Sequence, residues 1–164
     1  MASTTKAKKT TKATTATKLP PNPFVFEILN EVSKQRTIAK KVELLQQYRT
    51  DALVSILIWN FDDSIISMLP EGAVPFNRND VPVGTDHTSL RKEWKNLYHF
   101  VKGGNDSLSK TRRESMFIQI LEGLHPQEAD ILCLVKDKAL ASQFKITKAV
   151  VEQAYPDIQW GGRS

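Results

Sequence analysis

Apolar residues recur at intervals of three and four over most of this chain, the spacing of one face of an α-helix. Asn22 followed by Pro23 marks a helix start, a side-chain acceptor before a proline whose missing N–H costs nothing in the first turn. The helix predicted from there runs to about Lys34, with Phe24, Ile28 and Val32 on one face and Val25 and Leu29 beside them. Thr37 is placed to cap a second helix, in which Ile38, Val42 and Leu45 recur. Asp51 is placed to cap a third, Ala52 to about Asn60, whose residues ALVSILIWN are apolar nearly all round. Such a helix is enclosed on most sides and belongs at the centre of a core.

The pattern stops between Ser64 and His87, where Pro70, Pro75 and Pro82, with Gly72 and Gly84, break any long regular element. The stretch nevertheless keeps Ile65, Ile66, Met68, Leu69, Val74, Phe76, Val81 and Val83. That apolar content predicts an ordered, extended strap over the helices, with room for one short hairpin. Helical spacing resumes over Ser89–Lys102, Lys110–Glu122, Pro126–Lys138 and Lys148–Tyr155. Thr111 and Glu114 have the spacing of a capping box, and Gly103 and Gly123 suit helix ends. Pro126 is placed to open a helix and Pro156 to stop one. The predicted fold is all-α: an irregular bundle of six or seven helices in one domain, residues 23–156, interrupted by the Pro-rich strap. A C-terminal tail, 157–164, holds Trp160; Trp59 and Trp94 are expected in the core.

Charge changes the picture only at the N-terminus. Five of the 23 basic residues, Lys6, Lys8, Lys9, Lys12 and Lys18, lie in residues 1–18, where no acid occurs; 18 basic and 18 acidic residues remain beyond them. The net charge of +5 therefore sits in the tail, and the rest of the chain is balanced. The tail is too poor in apolar groups to offset the entropy of ordering, so residues 1–22 are expected to be disordered. It lacks the apolar region of a signal peptide, and no run approaches membrane-spanning length. The single cysteine, Cys133, excludes an intrachain disulfide, which suits a reducing interior. Among Ile131, Leu132, Leu134 and Val135 it reads as a buried, inert thiol.

One stretch of the domain is basic: residues 86–113 hold seven basic and three acidic side chains. Placed at helical intervals, Leu90, Trp94, Leu97, Tyr98 and Val101 form an apolar stripe, with Arg91, Lys92, Lys95, His99 and Lys102 beside it. Lys110, Arg112 and Arg113 extend the patch if the Gly103-Gly104 turn folds the next helix alongside. These cations suit the phosphates of a nucleic-acid backbone, read without sequence preference and sensitive to salt. A solvated helix face is the competing and preferred explanation. The strap offers the other surface: Met68, Leu69, Val74 and Phe76 must be covered by this domain or by a protein partner.

Nothing reads as a catalytic, cofactor or metal site. Gly103-Gly104-Asn105 lacks the spacing of a phosphate-binding loop and follows a helix, where carbonyls are exposed instead of N–H groups. Asp62-Asp63 fits a helix-ending turn. His87, His99 and His125 show no metal-ligand spacing, and His125 before Pro126 reads as a helix-start residue.

The segments FVFEILNEVSK, NFDDSI…LPEGAVPF, VPVGTDHTSL, FVKGGND and RRESMFIQILEGLHPQEADILCLVKDK, in that order, resemble a family of small proteins encoded by contractile-tailed phages (myoviruses), including those infecting cyanobacteria. The resemblance spans roughly residues 24–156 and omits the lysine-rich tail. It implies a phage-encoded protein acting in the cytoplasm of an infected bacterium or in the particle, and it carries no activity and no functional residues. The expectation is a non-enzymatic accessory protein acting through contacts with a protein partner. The alternative is a nonspecific nucleic-acid-binding accessory protein using the basic helix stripe and the lysine-rich tail; no membrane partner is expected, and the oligomeric state stays open.

Overall fold

The computed structural model describes residues 19–80 and 87–163. The lysine-rich stretch 1–18 and the strap residues Val81, Pro82, Val83 and Gly84 lie outside the described residues, with what was expected of them. Among the described residues the chain forms seven α-helices: α1 (Val25–Lys34), α2 (Ile38–Gln47), α3 (Asp51–Phe61), α4 (Leu90–Glu93), α5 (Lys110–Gly123), α6 (Pro126–Lys136) and α7 (Lys148–Ala154). Short 3-10 helices occupy Trp94–Phe100 and Leu140–Ser142. Extended pairing among the described residues is confined to two single bridges, Ser67 with Val101 and Thr88 with Leu124. The fold is all-α, and none of the described helices is long and apolar enough to cross a membrane.

The apolar α3 takes the central place its composition demands. Ala52, Leu53, Ile56, Leu57 and Trp59 are buried, and the helix packs on α4, the 3-10 helix and α6. Around it α1 lies on α2 and α6, α2 on α7, and α5 on α6. Tyr155, just past α7, is fully enclosed and donates its hydroxyl to the carbonyl of Leu45 at 2.6 Å.

Hydroxyl caps open most helices. Thr37, Ser109 and Thr147 accept the N–H groups of Lys40, Arg112 and Val150. Thr50, one residue before the expected Asp51, caps α3 by accepting from Leu53 at 3.1 Å. With Ser109 in that role on α5, Thr111 and Glu114 fall inside the helix and form no capping box. At α1 the start comes later than Asn22-Pro23: Glu27 Oε1 accepts the Phe24 N–H at 2.8 Å, and Glu128 accepts that of Val25. Gly123 is the last residue of α5 and not its left-handed cap; its carbonyl accepts from Thr88, which a Cβ there would crowd at 3.3 Å.

The largest departure from expectation is at 89–102. Only α4 is α-helical; Trp94–Phe100 is a 3-10 helix and Val101 is extended. The cause is competition for the backbone. The Phe100 carbonyl accepts from Met68, and the Lys102 N–H donates to Ile66, so the strap takes groups a longer α-helix would pair internally. A 3-10 helix has three residues per turn, so residues three apart share a face. Trp94, Leu97 and Phe100 therefore turn inward, and Tyr98 turns out to 50% exposure. Trp94, expected in the core, is only half-buried.

The strap itself is extended, as its prolines require, and is tied at many points. Its one bridge among the described residues is to Val101 instead of a hairpin within itself. The ammonium of Lys136, with its side chain fully enclosed, donates to the carbonyls of Pro70 (2.7 Å) and Gly72 (3.0 Å) and pairs with Asp137. Arg78 grips Asp130 through two nitrogens, and the Asn77 N–H donates to Glu122.

Candidate functional site

The α-helical spacing from which a stripe of cations was expected ends at Glu93, and the residues after it follow 3-10 geometry. Lys92, Lys95, Lys102, Lys110 and Arg112 are exposed and make no ion pair or hydrogen bond through their side chains within the described residues. Arg91 reaches back to the Pro23 carbonyl at 3.3 Å. His99 is half-buried and meets the Asn105 amide at 3.0 Å. Arg113 departs furthest from expectation: only 3% exposed, it donates to the carbonyls of His99, Asn105 and Leu108. It braces the loop between the 3-10 helix and α5, and its donors are turned away from any phosphate.

Of the strap residues expected at a protein surface, Leu69 is buried, and Val74 and Phe76 are half-buried against the core. Met68 is half-buried as well. Among the described residues the large apolar side chains left in the open are Ile66 of the strap at 46%, Tyr98 at 50% and Ile38 at 53% exposed. Tyr98 borders a cleft of about 280 Å³, whose walls are Ile58, Ile65, Trp94, Leu97 and Val101, with Lys95 and Arg163 among its lining. Among the described residues no carboxylate lines it. Ile65 also lines the next hollow, where Ile66 stands, so the two exposed side chains flank one apolar residue. Another hollow, about 210 Å³ between the strap and α5, is lined by Leu69, Val74, Phe117 and the tethered Lys136.

The floor beside the cleft is held by Asp62. This residue ends α3, as expected of a helix-ending turn, and its carboxylate accepts from the amide and hydroxyl of Ser64. It also receives the Gly161 N–H at 3.0 Å and the guanidinium of Arg163. Burial alone pushes the Asp62 carboxyl up; the hydrogen bonds from Ser64, Gly161 and Arg163 together outweigh it and hold the group well below the carboxylate range. The C-terminal tail thereby folds back and delivers Arg163 to the cleft. Trp160 of that tail is half-buried beneath the Lys148 ammonium, 5.1 Å from its ring centre.

Other ionisable groups serve the fold. Cys133, expected to be buried, is half-buried at the edge of a hollow, and its partial burial pushes the thiol up to about 11. His125 caps α6 by accepting the Gln127 N–H at 3.1 Å. The structure also joins what spacing could not: the His125 ring lies 5.2 Å from that of His87 and 4.7 Å from that of Phe26. Burial first, and the neighbouring imidazole second, hold His125 below the usual histidine value. No group of three or more metal-binding side chains converges among the described residues.

Neither the cleft nor the tail contact had a signal in sequence spacing, since each gathers residues from α3, the strap, the 3-10 helix and the C-terminus. No curated protein and no solved structure matches the chain. Residues 28–142 match the sequence pattern of a family of unknown function, DUF6433, and the chain belongs to that family.

Proposed function

We propose that this is a non-catalytic accessory protein that works by contact with another protein. We further propose that it is encoded by a contractile-tailed phage and acts in the cytoplasm of the infected bacterium or in the particle, a reading supported by the order of the resembling segments. The observation that carries the protein-contact reading is the exposed pair Tyr98 and Ile66, set around Ile65 beside an apolar cleft. Exposed apolar groups gathered at a concavity are the usual mark of a contact surface. The buried ionisable groups support it too: Asp62, Arg113, Glu128 and Lys136 each bind main-chain groups that hold elements together.

A photo-crosslinking residue placed at position 98 of the full chain, expressed during infection, tests this reading. Nuclease-resistant adducts to one or a few proteins are expected from position 98 and not from the equally exposed position 38. Adducts to nucleic acid alone, or none from either position, would sink it.

The five exposed cations Lys92, Lys95, Lys102, Lys110 and Arg112, unpaired within the described residues, favour a second reading, nonspecific contact with a nucleic-acid backbone. Such binding weakens steeply as salt is raised, which mobility shifts at two salt concentrations would read directly.

A further inference from the structure

We infer that the cleft between α3, the strap and the 3-10 helix receives one large apolar side chain of an acidic peptide segment. The inference rests on the protein-contact reading above and deepens it by assigning the site and the chemistry of the partner.

Shape and lining select the anchor. Ile58, Ile65, Leu97 and Val101 supply aliphatic walls, and Trp94 and Tyr98 supply aromatic ones. Trp59 lines the cleft but its indole N–H is committed to the Ser67 hydroxyl at 2.8 Å, which keeps that ring in place. The cleft is about 280 Å³ and open to solvent. Burying one aromatic or leucine side chain against these walls gains from the area removed from water.

Charge selects the flanks. Among the described residues Lys95 and Arg163 are the charged side chains lining the cleft, and no acid lines it. Arg163 is partly neutralised by Asp62, whereas Lys95 makes no ion pair within the described residues. Lys92 and Lys102, exposed and equally unpaired, lie near it in the chain. Carboxylates on the side of Lys95 and Arg163 complement that field, whereas beyond Ile65 the next hollow carries Asp63, Glu71 and Asp137, which would repel them.

Fluorescence anisotropy with short labelled peptides and the full chain tests the inference. The peptides carry a single central Trp, Phe or Leu flanked by Asp and Glu; controls replace the anchor with Gly or the flanks with Lys. The anchored acidic peptides are expected to bind about tenfold or more tightly than either control, a gap of about 1.4 kcal/mol. Tyr98→Ala and Lys95→Glu are each expected to weaken that binding by about tenfold, with Ile38→Ala as a neutral control. Both altered residues are exposed, and unchanged circular dichroism certifies the fold. Equal binding of all peptides, no binding, or binding indifferent to both substitutions overturns the cleft assignment. Crosslinks from position 98 would then still stand for the broader reading. A short single-stranded oligonucleotide that binds more tightly than the peptides, and is lost on the same substitutions, replaces the peptide with a nucleic acid.

Discussion

Glu128 shows how much a single residue can organise. It is fully enclosed, and its two carboxylate oxygens accept the N–H groups of Val25 at 2.9 Å and Leu90 at 3.0 Å, the first residues of α1 and α4. The first N–H groups of a helix have no internal partner, so one acid replaces two caps. Burial pushes the Glu128 carboxyl up, and the two amide donors only partly offset it. A folded pKa above the unfolded one means that ionisation weakens the folded state as pH rises through it. An acid three residues after His125, in the first turn of a helix, was visible in the sequence; that it serves two other helices was not. Gly104 makes the complementary case. A Cβ there would sit 1.9 Å from the Tyr98 carbonyl oxygen, so the turn after the 3-10 helix closes only over a bare backbone. Gly104→Ala is expected to cost about 1–3 kcal/mol by forcing that turn apart, measured as a lower midpoint in urea unfolding. An unchanged midpoint would mean that the turn opens freely.

At the scale of elements, residues 89–102 mark where periodicity misleads. Leu90, Trp94, Leu97, Tyr98 and Val101 make an excellent α-helical stripe, yet Phe100, outside that stripe, is fully buried and Tyr98 is exposed. Periodicity describes a segment in isolation, whereas the strap competes for the Phe100 carbonyl and the Lys102 amide. The strap was legible as extended from Pro70 and Pro75, and as ordered from Leu69, Val74 and Phe76. Its anchor was not, because Lys136 reads as an ordinary basic residue in the last turn of a helix. Lys136→Met keeps the packing volume and removes the bonds to Pro70 and Gly72. It is expected to cost about 1–3 kcal/mol and to speed amide exchange in the strap while the α3 amides stay protected. Uniform acceleration across the chain, or none, contradicts the proposed role of the tether.

Over the whole molecule, closure depends on Asp62, which joins the end of α3 to Gly161 and Arg163 of the C-terminal tail. Its folded pKa is depressed, so it contributes stability above the unfolded carboxylate value of about 3.9 and loses it as pH falls below that. Asp62→Asn removes the contribution. At neutral pH the variant is expected to be less stable by about 1–3 kcal/mol, and its melting temperature to fall less steeply than that of the parent between about pH 5 and 2. Asp157, held down to about 2 first by its hydrogen bonds from Arg49, acts in the same direction and is common to both proteins. Parallel melting profiles would show that the tail contact contributes nothing.

By itself the sequence determined the all-α class, the central place of the apolar α3, the punctuation by prolines and the charge balance of residues 19–164. Each of these follows from local composition and from periodicity along one segment. Only the tertiary structure decided which polar groups are buried, where the 89–102 helix tightens, and that Tyr98, Lys95 and Arg163 meet at one cleft. Those outcomes depend on competition among distant backbone groups for the same hydrogen bonds, which no single segment encodes.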